Sequence, residues 1–236
     1  MSAAHAASGA APGTAAEASV DAGLVPGSRH LFVTLGGHWG GFGMPPFEFA
    51  RILAGLGVSR VAVRDTRQLW YQGGIPEVPG GLAGLAGHLR ERIANAGADR
   101  TTLIGNSMGA YAALVLGPLV GADRVLAFSP LTFLSLRQRI VHRDRRWGRT
   151  ISAGRKHPDA DPALWDVARM WDRAGGALPD TRIYYGTSTR LDRLHAERLR
   201  RFGNVRLFGS DGQGHDVIRH LRATGDLDEV LADAAR

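Results

Sequence analysis

From residue 29 onward the chain alternates short runs rich in β-branched and aromatic residues with longer stretches whose apolar positions recur at helical spacing. LFVTL at 31–35 is an apolar run closed by Gly36 and Gly37, and it predicts a buried strand. PPFEFARILAGLG at 45–57 predicts a helix, with proline early and glycine late. RVAVRD at 60–65 predicts a second strand, and GLAGLAGHLRERIANAG at 81–97 sets Leu82, Leu85, Leu89 and Ile93 on one helical face. TTLIG at 101–105 predicts a third strand and RVLAFSP at 124–130 a fourth. Between them MGAYAALVLGPLVG at 108–121 predicts a helix with so little polar surface that it must be covered on most sides.

The rhythm breaks at 131–177, where LRQRIVHRDRRWGRT and DPALWDVARMWDRAGG have helical character and no strand pattern. This stretch reads as a helical insertion that could cap a site. Alternation resumes with TRIYYG at 181–186, a helix over DRLHAERLRRFG at 192–203, NVRLFGS at 204–210 and a final helix beginning near His215. Strands alternating with helices predict an α/β fold of three layers, a mostly parallel sheet of about six strands between helices. With 236 residues and 44% hydrophobic content, one domain over 29–236 is expected.

Composition trims the possibilities. Residues 1–28 are rich in alanine, glycine and serine, hold no lysine or arginine and no continuous apolar core, and so read as a flexible tail and not as a signal peptide. No apolar run reaches the roughly 18 residues of a membrane span. A soluble, cytoplasmic protein without membrane association is the expectation. The net charge is +7, and 28 of the 29 basic residues are arginine, Lys156 being the single lysine. Because these charges are scattered, no nucleic-acid partner is expected. The absence of cysteine excludes disulfides, thiolate zinc sites and cysteine nucleophiles.

Chemistry enters at GNSMG, residues 105–109, which sits between a predicted strand and a predicted helix. Glycines on either side let strand and helix approach closely while the Ser107 hydroxyl points outward, and a helix start supplies free backbone N–H groups for a developing negative charge. A serine nucleophile needs a histidine to accept its proton and a carboxylate to orient that histidine. His215, in the glycine-rich loop after the last strand, fits best, because His88, His195 and His220 fall inside helices and His142 and His157 in the insertion. Asp192, following the penultimate strand, is the candidate acid, with Asp211 and Asp216 as rivals beside His215.

The chain order Ser107, Asp192, His215, together with LFVTLGG, GNSMG, RIYYGTSTRLD and GQGHDV, resembles the α/β-hydrolase superfamily over residues 29–236. RDTRQLWYQGG at 64–74 and VLAFSP at 125–130 are also similar to stretches of compact bacterial hydrolase-like proteins. The resemblance implies a serine hydrolase or acyltransferase working through an acyl-enzyme on Ser107, on a small-molecule or carrier-bound acyl substrate, with no metal or organic cofactor. It also implies an oxyanion hole from the Met108 amide and a second amide in the loop GGHWGGFG, from Gly37 or His38.

Trp39, Trp70 and Tyr71 fall on loops at the same sheet edge, where they would line a substrate pocket or pack the loops, and Asp65 is expected to pair with an arginine. The insertion carries Arg137, Arg139, Arg143, Arg145, Arg146, Arg149, Arg155 and Lys156, a solvated basic face or a lure for a phosphorylated or carboxylated substrate. Two other classes stand against the hydrolase reading. A dinucleotide-binding oxidoreductase would want a GxGxxG that GGHWGGFG does not supply. A non-catalytic binding scaffold would not need all three of Ser107, Asp192 and His215.

Overall fold

The computed structural model describes residues 19–38, 47 and 49–236. The strands are β1 (Val20–Gly23), β2 (His30–Leu35), β3 (Ser59–Val63), β4 (Arg100–Asn106), β5 (Arg124–Phe128), β6 (Asp180–Gly186) and β7 (Val205–Ser210). They form one sheet in the order β1-β3-β2-β4-β5-β6-β7, parallel throughout except for β1, which runs antiparallel to β3. The helices are α1 (Ala50–Gly55), α2 (Gly81–Ala96), α3 (Met108–Val120), α4 (Leu136–His142), α5 (Gly148–Arg155), α6 (Val167–Arg173), α7 (Arg190–Glu197), α8 (Val217–Thr224) and α9 (Asp226–Ala235).

Alternation of side chains along the strands builds two cores, one on each face. Leu31, Val33, Leu35, Leu103, Val125, Ala127 and Ile183 pack against α2, α3 and the insertion. The intervening Phe32, Ile104, Leu126, Phe128 and Tyr184 pack against α1, α8 and α9. The central strands are covered on both sides, which explains their near-continuous apolar runs. Among the described residues, no helix is long and apolar enough to cross a membrane.

The chain steps from β2 outward to β3 and then returns past β2 to β4, so the winding reverses between β2 and β4. In open parallel sheets a crevice opens at the carboxyl ends of the strands at such a reversal. The β2 end carries Gly36, Gly37 and His38, and the β4 end carries Ser107.

Four expectations are corrected. Residues 20–23 are not tail: they form β1, held by register pairing to β3, by an Arg60 to Asp21 ion pair at 3.2 Å and by the Ser19 amide donating to Glu77 Oε1 at 3.1 Å. The helix expected over 45–57 spans only Ala50–Gly55; residues 39–46 and 48 lie outside the described residues. The helix expected over 192–203 is Arg190–Glu197, followed by turns. The single final helix is two, broken at Gly225, whose φ of 88° ends α8 and starts α9. The insertion holds α4, α5, a 3-10 turn at Pro162–Leu164 and α6, with one isolated bridge between Phe133 and Asp166.

Candidate active site

Ser107 sits between the end of β4 and the start of α3 with φ 50° and ψ −108°, a left-handed conformation that costs a non-glycine residue about 1–3 kcal/mol. The turn is pinned on both sides. The Ser107 amide donates to Phe128 O at 2.8 Å, and the Tyr111 amide donates to Ser107 O at 3.0 Å. The two flanking glycines are required by close approach: a Cβ on Gly105 would run into the backbone of Gly109, and one on Gly109 into the Leu35 carbonyl oxygen. The strand and helix therefore cross in contact behind the serine, leaving its hydroxyl at the mouth of the crevice.

The Ser107 hydroxyl lies 2.9 Å from His215 Nε2, and His215 Nδ1 lies 2.9 Å from Asp192 Oδ1. A carboxylate only accepts, so Nδ1 carries the proton and donates to Asp192, and Nε2 is left to accept from the serine. Asp192 lies in the first turn of α7 and is fully buried. Burial alone would raise its pKa, but the hydrogen bond and charge of His215 together with Arg146 outweigh it and hold the carboxyl below its ordinary value. Among the described residues neither rival acid is hydrogen-bonded to the His215 ring: Asp211 accepts from Thr187 Oγ1 at 3.0 Å, and Asp216 is the residue preceding α8.

Met108 is the first residue of α3, so its amide has no intrahelical carbonyl to bond. Gly37 packs against the adjoining peptide, since a Cβ there would stand 2.9 Å from Asn106 O. His38 follows on the same loop, its Nε2 buried without a hydrogen-bond partner among the described residues and its pKa pressed down by burial against the opposing pull of Asp65. The two loops expected to donate backbone amides thus meet beside Ser107.

The aromatic residues are placed differently. Trp39 lies outside the described residues. Trp70 and Tyr71 are fully buried. The cause is Asp65, whose carboxylate accepts the amides of Arg67 at 3.1 Å, Leu69 at 2.6 Å and Tyr71 at 2.9 Å. These bonds wind the loop inward, with Gln68, Trp70 and Tyr71 at φ of 54°, 60° and 59°. Asp65 is therefore bonded to backbone amides, with Arg67 near enough to favour its charged form, and among the described residues it forms no arginine ion pair within 4.0 Å. Burial raises its pKa, opposed by those same amides. Tyr71 donates its hydroxyl to Gly36 O at 2.9 Å, bracing the loop that carries Gly37, and Trp70 donates to Thr150 Oγ1 at 3.1 Å, tying the loop to α5.

Four residues of the site were not foreseen. Arg146 donates to Asp192 Oδ1 at 2.6 Å and to both oxygens of Asp144, at 3.1 and 3.0 Å. Asp144 in turn accepts from His195 Nε2 at 3.0 Å, while His195 Nδ1 accepts the Thr132 amide at 2.9 Å. His195 is therefore neutral with its proton on Nε2, and burial pushes its pKa down to about 4. Trp147, at φ 49°, lays its ring 4.7 Å from the His215 ring. The turn between α4 and α5 thus walls the Ser107 centre. Its signal in the sequence was HRDRRW, where alternating charges precede a tryptophan. Read as a uniformly basic run, that stretch hid the fact that Arg146 is committed to two carboxylates.

Searches against solved structures recover proteins of one architecture. A thermophilic esterase from the planctomycete Thermogutta terrifontis aligns at TM-score 0.58 and 17% identity over 91% of this chain and 87% of that one. A hyperthermophilic esterase from the archaeon Pyrobaculum calidifontis aligns at TM-score 0.60 and 15% identity over 92% of this chain and 84% of that one. The chain has the α/β-hydrolase fold. An S-formylglutathione hydrolase from Agrobacterium tumefaciens shares this α/β-hydrolase architecture, at TM-score 0.60 and 17% identity over 88% and 84%. No family model and no curated protein matches the sequence.

Proposed function

We propose that this α/β-hydrolase-fold chain is a serine hydrolase that cleaves carboxylic esters through an acyl-enzyme on Ser107. One observation carries the reading: a continuous hydrogen-bonded line from Ser107 Oγ through His215 to Asp192, on a strained turn at the point where the sheet reverses its winding. The esterases that share the fold support it.

In this reading Ser107 Oγ attacks the substrate carbonyl carbon and its proton passes to His215 Nε2. The oxyanion of the tetrahedral intermediate takes hydrogen bonds from the Met108 amide and from the loop of Gly37 and His38. The intermediate collapses as His215 returns the proton to the departing alcohol. Water then attacks the acyl-enzyme, giving its proton to His215, and the acid leaves as Ser107 is reprotonated. Asp192 orients His215 and stabilises the imidazolium, and Arg146 fixes Asp192 in place. A thioester would enter by the same steps, and an amine or hydroxyl acceptor in place of water would make the reaction an acyl transfer.

Turnover of short-chain p-nitrophenyl esters and matched thioesters by wild type and Ser107→Ala tests this. The expected result is hydrolysis by wild type and a loss of at least about a thousandfold in Ser107→Ala, with the fold unchanged by circular dichroism. Equal rates in the two proteins would leave Ser107 without a catalytic role and favour a binding scaffold.

A further inference from the structure

Between α4 and α5 lies a cavity of about 650 Å³ whose lining includes Arg139, Arg143, Arg145, Arg155 and Lys156. Asp144 is the one carboxylate in that lining, and its two oxygens already accept from Arg146 and His195. Among the described residues, none of the five cations forms an ion pair with a carboxylate.

Arg139 makes the site more than a solvated basic face. It is only 8% exposed, its Nη2 donates to Arg146 O at 2.7 Å, and its Nη1 is buried without a hydrogen-bond partner among the described residues. A buried guanidinium nitrogen left unpaired carries a desolvation cost, which an anion in the cavity that Arg139 lines would relieve once a small shift of the side chain brought that nitrogen to the wall. Arg155 repeats the pattern, its Nε buried and unpartnered while the guanidinium carbon stacks 4.7 Å over the Trp165 ring.

The remaining wall is mostly apolar, with Ser152 its one polar residue. Ile151 is buried at the floor, and Leu136 and Ile140 stand 53% and 66% exposed at the rim, with no protein surface covering them among the described residues. A bare inorganic anion would fill only a small part of this volume, which falls in the range of sites that hold molecules of several carbons.

We propose that this cavity binds a phosphate monoester carried on an alkyl or acyl chain, the phosphate oxygens taking the forks of Arg139 and Arg155 and the chain lying along Leu136, Ile140 and Ile151. A dianion with three terminal oxygens matches several convergent guanidinium groups better than a single carboxylate does. Such a molecule occurs free in solution or as the head of a lipid. The proposal does not depend on Ser107 being a nucleophile.

The test is titration calorimetry of the full chain with hexyl phosphate, inorganic phosphate and hexanol, and co-sedimentation with vesicles containing phosphatidic acid. Wild type should bind hexyl phosphate at one site, at least about tenfold more tightly than either inorganic phosphate or hexanol. Because Arg139→Gln removes a buried group and can cost stability, the paired variant Arg143→Glu/Lys156→Glu alters only exposed cations. Both variants should weaken hexyl phosphate by about tenfold or more, whereas Ser107→Ala should bind as wild type does. Vesicle binding that is lost in the same variants, alongside hexyl phosphate binding, assigns the lipid as a source; hexyl phosphate binding alone assigns a soluble ester. No hexyl phosphate binding by wild type, vesicle binding alone, equal affinity in both variants or loss of binding in Ser107→Ala would each overturn the proposal. None of these outcomes bears on ester turnover, so failure here is distinct from failure of the hydrolase reading.

Discussion

Acidification of His195 offers a quantitative test of the network behind the site. The ring is fully buried, with its Nδ1 accepting from the Thr132 amide and its Nε2 donating to Asp144. Protonating it would put a second hydrogen where Nδ1 must accept, and would place a new charge in a site already occupied by Arg146. Burial accordingly lowers its pKa from 6.5 to about 4. The unfolded chain takes up this proton near pH 6.5 and the folded chain only near pH 4, so the unfolded state binds more protons across that window. Stability is then full above pH 6.5 and falls as the pH drops toward about 4, a total of roughly 3 kcal/mol from this one group. Between pH 7 and pH 5 the loss should be about 2 kcal/mol. Urea denaturation at a series of pH values, in wild type and in His195→Gln, isolates the contribution, because burial also lowers His30 and His142 and they remain in both proteins. The glutamine keeps a donor for Asp144 but does not titrate. A pH slope that is the same in the two proteins would refute the reasoning.

Arg146→Met should leave the buried carboxylates of Asp144 and Asp192 without their shared cation; because Arg146 is itself 21% exposed, the cost should fall near the low end for a broken buried pair, about 3 kcal/mol by urea denaturation. An unchanged denaturation midpoint would mean that the pairing contributes nothing. Gly109→Ala should drive a methyl group into the Leu35 carbonyl, costing about 1–3 kcal/mol and displacing the turn at Ser107, while Gly87→Ala in α2, with nothing within 4 Å of the added carbon, should stabilise the chain by about 0.5–1 kcal/mol. If thermal melting ranked these two substitutions in the opposite order, the contact between strand and helix behind Ser107 would be misdescribed.

What the sequence made legible follows the physics of its strands. The runs LFVTL, TTLIG and RVLAF are buried on both faces, so their apolar character is nearly continuous and their positions could be read directly. The constraint at GNSMG was equally local, because the clash that demands glycine involves neighbours along the chain as well as the end of β2. β1 escaped notice because four residues at a sheet edge bury too little to impose a pattern, and their order comes from pairing with β3. Whether Trp70 and Tyr71 line a pocket or pack the loops is left open by the sequence, because aromatic side chains on a loop at that edge do either. The inward winding that buries them depends on the Asp65 carboxylate gathering three amides, a geometry that composition does not carry. The Asp144, Arg146 and His195 network was illegible for a further reason. Asp144 and Arg146 lie two residues apart in the insertion, but the groups they hold, His195 and Asp192, lie 51 and 46 residues away in α7.

The central claim is that Ser107 is a nucleophile activated by His215. Reaction with a fluorophosphonate, followed by intact mass and peptide mapping, tests it most directly. The account predicts a single adduct on Ser107 in wild type, formed far more slowly in His215→Ala and absent in Ser107→Ala. No adduct on folded wild-type protein, an adduct on another residue, or equal labelling rates in wild type and His215→Ala would contradict it.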